Sequence, residues 1–369
     1  MGDLGTKKRA LGVLTALVVA AVLLLAAADY FRLLSGEVSP GGHMQQQAPP
    51  FQWFSVSNIS DEDEAIATVY PLPHYGKDLC LQFNNKHHQK KTKRIYRHPN
   101  IVHYVKMASN KGTDAELKLL DYVSILSVDK NYKPDKIVIH SNRKLTGELW
   151  KLANTLNTTI EERYAARRPT IGRSNKPAKT ISHEADVHKI EIAMKEGGIV
   201  MDFDVIILDG ENLRRQQASS ECVLSIEREC TFVNAGFISC VPNTVFLGKW
   251  WQGYMNDYRN TWSSYLYNCG EYSARILRGC PSCYNVYLDP EICMNPDAGA
   301  PGGPGPGRDP WKVKNGVKWR NKTVVHVLLH HLQVPKTNYL LNLWDCSYKE
   351  LVMHILGDSY KQFLPKPNS

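Results

Sequence analysis

Several signatures are missing from this chain of 369 residues, and each absence closes off a class of protein. No internal repeat recurs at a fixed period, which removes solenoids and propellers. No nucleic-acid-binding motif occurs, so no nucleic-acid partner is expected. Cys280-Pro281-Ser282-Cys283 has no second C-x-x-C to complete a zinc site, which leaves a disulfide as its expected role. No H-E-x-x-H is present: His183-Glu184 is followed by a histidine only at His188. Five residues along a helix turn the side chain by roughly 140°, so this pair cannot grip one zinc. No charged side chain interrupts residues 10–28, and Thr15 is the one polar residue there. No cysteine precedes Cys80.

What is present fits a secreted or luminal body behind a membrane anchor. About 20 apolar residues span a bilayer core, and Lys7, Lys8 and Arg9 flank the apolar run on its N-terminal side. Positive charge stays cytosolic, so the body is expected in the lumen. The small residues Ala26-Ala27-Ala28 resemble a signal-peptidase site, but the apolar run exceeds the length of a signal core. The expected division is a cytosolic tail at 1–9, a transmembrane signal anchor at 10–31, a stem at 32–97 and a catalytic domain at 98–369. Three sequons, at Asn58, Asn157 and Asn321, and all nine cysteines lie beyond the anchor. An oxidising, glycosylating compartment accounts for both. The formal charge of +9, from 45 basic and 36 acidic residues, suits acidic partners such as nucleotide diphosphates, anionic glycans or a membrane surface.

Beyond residue 98, apolar β-branched runs alternate with helical patterns. Residues 101–105 and 136–140 read as strands, and residues 115–126 and 145–156 as helices. That alternation predicts an α/β fold with a mostly parallel sheet flanked by helices. Such sheets bind ligands at the carboxyl ends of their strands. Residues 294–310, rich in Gly and Pro, form an expected flexible loop.

The chemistry concentrates in residues 183–205. Val187, Ile190 and Met194 fall on one helical face, and Asp186, Lys189 and Ala193 on another. Gly197-Gly198 ends the helix, because glycine accepts the left-handed cap. Residues 199–208 then read as one apolar strand carrying Asp202-Phe203-Asp204. On a strand, residues two apart face the same side. Two carboxylates placed there repel unless a cation joins them. Mn2+ or Mg2+ would do so while bridging a diphosphate.

The arrangement resembles the DXD-containing sugar-binding region of glycosyltransferase family 32, which includes fungal initiating mannosyltransferases and animal α-1,4-galactosyl- and N-acetylglucosaminyltransferases. Asp186, the pair Gly197-Gly198, Ile199, Asp202 and Asp204 match at the family's offsets. Lys189 stands where the family has Arg, and Val200 where it often has Tyr. Ile101-Val102-His103 resembles the opening strand, Val233-Asn234-Ala235-Gly236-Phe237-Ile238 with Pro242 the segment after the metal strand, and Val325-His326-Val327 a C-terminal His-bearing strand. The resemblance covers residues 98–335. It implies a GT-A-like fold, a Golgi membrane address and retaining transfer from a nucleotide-sugar, UDP-linked by preference, to a glycan or glycolipid. It further implies donor-binding roles for His103, Asp186, Lys189, Gly197, Gly198 and Asp202, and metal ligation by Asp202, Asp204 and His326. Two other readings share the residues. Asp202-Phe203-Asp204 with Asp358 is similar to motifs of haloacid-dehalogenase-type phosphatases, where the first Asp is a nucleophile. A glycan-binding protein on a transferase scaffold is the other. Trp250-Trp251 is expected to pack in the core.

Overall fold

The computed structural model describes residues 95–108, 115–227, 232–261, 264–289, 292–293, 310–327 and 345–363. The anchor, nearly all of the stem and loop residues 294–309 lie outside them. Among the described residues, no helix is long and apolar enough to cross a membrane.

In chain order the elements begin with β1 (Ile101–Lys106), α1 (Leu119–Ser127), β2 (Lys136–Ser141), α2 (Glu148–Ala153) and β3 (Thr159–Tyr164). A short hairpin, β4 (Thr170–Ile171) and β5 (Lys176–Pro177), precedes α3 (Ile181–Lys195). Then come β6 (Gly198–Met201), β7 (Val205–Ile207), α4 (Gly210–Ser219), β8 (Cys222–Glu227), β9 (Phe232–Cys240) and α5 (Val245–Asn256). The chain continues through α6 (Tyr272–Gly279), β10 (Val286–Asp289), β11 (Ile292–Cys293), β12 (Val324–His326) and α7 (Ser347–Leu356).

Seven strands form the central sheet in the order β10-β8-β9-β6-β1-β2-β3. Parallel pairs join β3, β2, β1 and β6, and β10 runs parallel to β8. Only β9 is reversed, antiparallel to both β6 and β8. The fold is thus α/β with a mostly parallel sheet, as the alternating pattern predicts. β7 leaves this sheet and joins β12 and β11 in a second one.

Alternation along the strands feeds two cores. Val102, Tyr104, Ile199 and Met201 face one layer, packed with α1 and α7. Val105 and Val200 face the other, packed with α3 and α5. Burial of each such side chain contributes roughly 1.5–3 kcal/mol. Trp250 is fully buried in the second core, as expected of it. Cys222 and Cys240 sit opposite each other on β8 and β9 and are bridged, and Cys280 pairs with Cys283. The C-x-x-C segment is therefore a disulfide.

α3 forms where its sequence places it. Thr180 caps it, its side chain accepting from the His183 N–H at 3.3 Å. Val187 and Ile190 are fully buried, and Met194 is half-buried against the same core. Gly197 and Gly198 have φ of 67° and 80°. A Cβ on Gly198 would stand 2.5 Å from the Ile101 carbonyl oxygen, so the stop is also a close packing contact with β1. His183 bonds the Tyr258 hydroxyl, while His188 bonds the Ala166 carbonyl. The two histidines face different partners, as the helical angle between them requires.

Candidate metal and diphosphate site

Asp202-Phe203-Asp204 is a turn, not part of a strand. The expected single strand over 199–208 is two strands in different sheets, broken at these three residues. The Asp202 N–H donates to the Gly236 carbonyl at 2.9 Å, the last tie to β9. The Val205 N–H then donates back to the Asp202 carbonyl at 3.2 Å. β7 pairs with β12, which sets Val205 opposite His326. The Val327 N–H donates to the Asp204 carbonyl at 2.8 Å. The two carboxylates therefore do not meet through strand alternation. They meet because the backbone changes sheets between them. Phe203 pins the turn: its ring stacks on Tyr104 at 4.5 Å, with the Lys106 ammonium 4.9 Å from its centre.

Asp202, Asp204 and His326 each offer a ligand atom, and these atoms lie within 4.8 Å of one another. His326 Nε2 stands 3.3 Å from Asp204 Oδ1. The Asp202 side chain is 33% exposed, against 15% for Asp204 and 5% for His326. The cluster is thus lodged in the protein yet open through Asp202. Its floor is Gly236. A Cβ there would come within 2.7 Å of His326 Cε1 and 3.2 Å of Asp202 Oδ2, so only glycine leaves room between the two ligands.

Lys189 lies behind the turn. Its side chain is 2% exposed, and its Nζ donates to Asp186 Oδ1 and Asp202 Oδ1, both at 2.8 Å. Burial alone would strip its charge, but the Asp186 and Asp202 carboxylates outweigh burial and raise its pKa. It stays an ammonium. Tyr254, its own pKa raised by burial and by Asp186, donates to Asp186 Oδ2 at 3.1 Å. Burial lifts the Asp202 pKa above the ordinary value; Lys189 pulls the other way, and Asp204 and Asp186 add to the rise. A cation placed beside Asp202 and Asp204 would relieve that repulsion.

Two carboxylates and an imidazole, with a glycine floor, fit a divalent cation. Hard oxygen donors suit Mg2+ and Mn2+, and a nitrogen donor favours the transition ion of the two.

The structure brings Lys189 and, through it, Asp186 to Asp202. It does not bring His103, Gly197 or Gly198 there. Gly198 opens β6 and Gly197 precedes it, at the opposite end of that strand from Asp202, where they lie close to Ile101 and Pro242. His103 is fully buried in mid-strand, its Nδ1 3.2 Å from His140 Nε2. An open cavity of about 430 Å3 lies elsewhere, lined by Lys130, Lys133, Asp209 and Arg214 among others and by none of the cluster residues.

No family model and no curated protein matches the sequence. Among solved structures, the chain is similar to the galactosyltransferase LgtC in complex with donor and acceptor sugar analogs, with 14% identity and a TM-score of 0.39, over 72% of this chain and 100% of that one. It is similar to the PaToxG glycosyltransferase at 14% identity and TM-score 0.37, over 60% and 81% of the two chains. The glycosyltransferase GlyE of Streptococcus pneumoniae TIGR4 matches at 11% identity and TM-score 0.39, over 73% and 66%. Likenesses of this size do not carry over a fold or an activity, and the functional reading rests on the geometry of the turn.

Two residues of that geometry carry no expected role in the sequence reading: Asn234 and Gly236 on β9. The available signal is the glycine itself, since glycine inside a strand marks a close approach of other groups.

Proposed function

We propose that this chain is a metal-dependent glycosyltransferase that moves a sugar from a nucleotide-sugar, UDP-linked by preference, to a glycan or glycolipid acceptor. The observation that carries the proposal is the convergence of Asp202, Asp204 and His326 at the carboxyl end of a central strand. Open α/β sheets bind their ligands outside such strand ends. Asp204 and His326, with the outer oxygen of Asp202, are the residues that would hold Mn2+ or Mg2+. When bound, the cation would supply charge stabilisation to a departing nucleoside diphosphate. Lys189 takes the other Asp202 oxygen and fixes the carboxylate's direction. Asp186 holds Lys189, and Tyr254 holds Asp186. Retention at the anomeric carbon follows the family resemblance.

The same reading places the body in the Golgi lumen behind an anchor at residues 10–31. Protease added outside intact vesicles should leave the body whole, and digestion there would overturn the orientation. The phosphatase reading is weaker. It needs Asp358 beside Asp202, whereas Asp358 is exposed on the turn after α7, which Lys130 ties at Ile355 and Leu356 and Phe363 ties to Tyr122.

A thermal-shift panel tests the function. A ligand that binds only the native state stabilises by RT ln(1 + [L]/Kd), about 2.7 kcal/mol at a hundredfold excess. A UDP-sugar should raise Tm only when Mn2+ is present. A larger shift with GDP-mannose would change the donor and keep the class. No shift with any nucleotide-sugar, in folded protein, would remove the proposal.

A further inference from the structure

Behind the metal ligands lies a hydrogen-bond chain that fixes which nitrogen of His326 carries its proton. Asn234 sits on β9, two residues before the glycine floor. Its Oδ1 accepts the Gly236 N–H at 2.6 Å. That short bond fixes the amide's orientation, because the opposite flip would set two donors against each other. The amide NH2 therefore faces His326 Nδ1, at 3.4 Å. A nitrogen that accepts from an amide carries no proton in the neutral ring, so the proton belongs on Nε2. Nε2 in turn faces Asp204 Oδ1 at 3.3 Å, and donates to it.

Resting on the metal-site reading above, we infer that Asn234 is a positioning residue that sets the tautomer and orientation of His326, and thereby the metal affinity of the site. Its amide holds the imidazole against Asp204 in the metal-free protein. The same contact opposes ligation through Nε2, since a ligating Nε2 needs its lone pair and moves the ring proton to Nδ1. Asn234 thus orients the ring and weakens the cation's hold at once. A site built this way keeps the three ligands gathered without committing them to a tightly held ion. An acceptor at position 234 would reverse the second effect, because a carboxylate facing Nδ1–H favours the tautomer with a free Nε2.

The test is Mn2+ affinity of the full-length protein, read by electron paramagnetic resonance of free Mn2+, for wild type, Asn234→Asp and Asn234→Ala. The expected order is Asp tightest, then wild type, then Ala, with the Asp variant roughly tenfold or more above wild type. Asn234→Asp is then repeated with His326→Ala. If Asn234 acts through His326, the gain disappears in that background. A gain that persists without His326 is the bare effect of an added negative charge and overturns the inference. So does an Asp variant no tighter than wild type, the result expected of a residue that only packs. If wild-type protein binds no Mn2+, or Asp204→Ala binds it equally well, the metal-site reading itself has failed, and the variant series distinguishes that case.

Discussion

Two polar clusters, one inside the central sheet and one just past the end of β6, do opposite things. His103 on β1 stands opposite Val200 on β6, two residues before Asp202. The His103–His140 pair sits in mid-strand under α3, with His103 fully buried and its Nε2 unpartnered. Burial is the leading cause that brings His103 down to about 4 and His140 to about 3. Both rings are neutral at physiological pH. The Asp202–Asp204–His326 cluster lies just beyond the strand's end, where the chain turns into another sheet. There a buried lysine answers Asp202, whose carboxylate is open to solvent. A polar side chain in the middle of a strand must give up its charge. At the end of the strand a counter-ion and solvent can reach it.

The largest expected effect tests whether that open cluster is the working one. Asp204→Ala should abolish metal-dependent transfer while circular dichroism shows a native fold, since the backbone bond from Val327 to the Asp204 carbonyl is kept. Full activity in that variant would break the contrast at its centre.

Lys189→Met comes next. It leaves Asp186 and Asp202 facing each other without their shared ammonium. Losing one partner of a buried ion pair costs about 3 kcal/mol or more, and the openness of Asp202 puts the expectation at the low end. Urea unfolding reads it. A loss near zero would mean that Lys189 fills space and does not hold the turn.

The histidine pair gives a smaller, pH-dependent effect. The folded pKa of His103 lies below the unfolded value of about 6.5, so the unfolded chain takes up the proton first. Stability is therefore level above that pH and falls as pH drops from about 6.5 toward about 4. Between pH 7 and pH 5 one such group accounts for about 2 kcal/mol. His103→Leu should shrink the acid loss by that amount. Equal slopes in both proteins would show that the pair does not stay neutral.

The smallest effect should be none. Asp358→Asn changes a carboxylate outside both clusters, and neither activity nor Tm should move. Lost activity there would revive the phosphatase reading.

Much of the architecture was legible as pattern. The strands at 101–106 and 136–141, the helix from 181 to 195 and its glycine stop follow from periodicity and from the backbone freedom of glycine. The two aspartates stood out because charge is costly inside an apolar run. Two helices came out shorter than their patterns, at 119–127 and 148–153. The first starts late because Glu116 forms a β-bridge with Thr146; at its other end the helix runs past the pattern into a π-turn closed by Lys133, whose φ is 53°. Asn234 was not legible as a site residue, because its meaning depends on a hydrogen bond that no spacing encodes, and Gly236 offered only the general sign of a glycine inside a strand.

The sequence by itself determined the α/β alternation, the end of α3 and the identity of the paired carboxylates, since these depend on neighbours a few residues away. Only the tertiary structure decided that the apolar run breaks at Asp202, that His326 comes to Asp204 from across a second sheet, and that Lys189 turns inward to hold Asp202. It also set His103 and the glycine pair apart from the Asp202–Asp204–His326 cluster. Each of these depends on residues far apart in the chain, and strand pairing, not local propensity, brings them within reach.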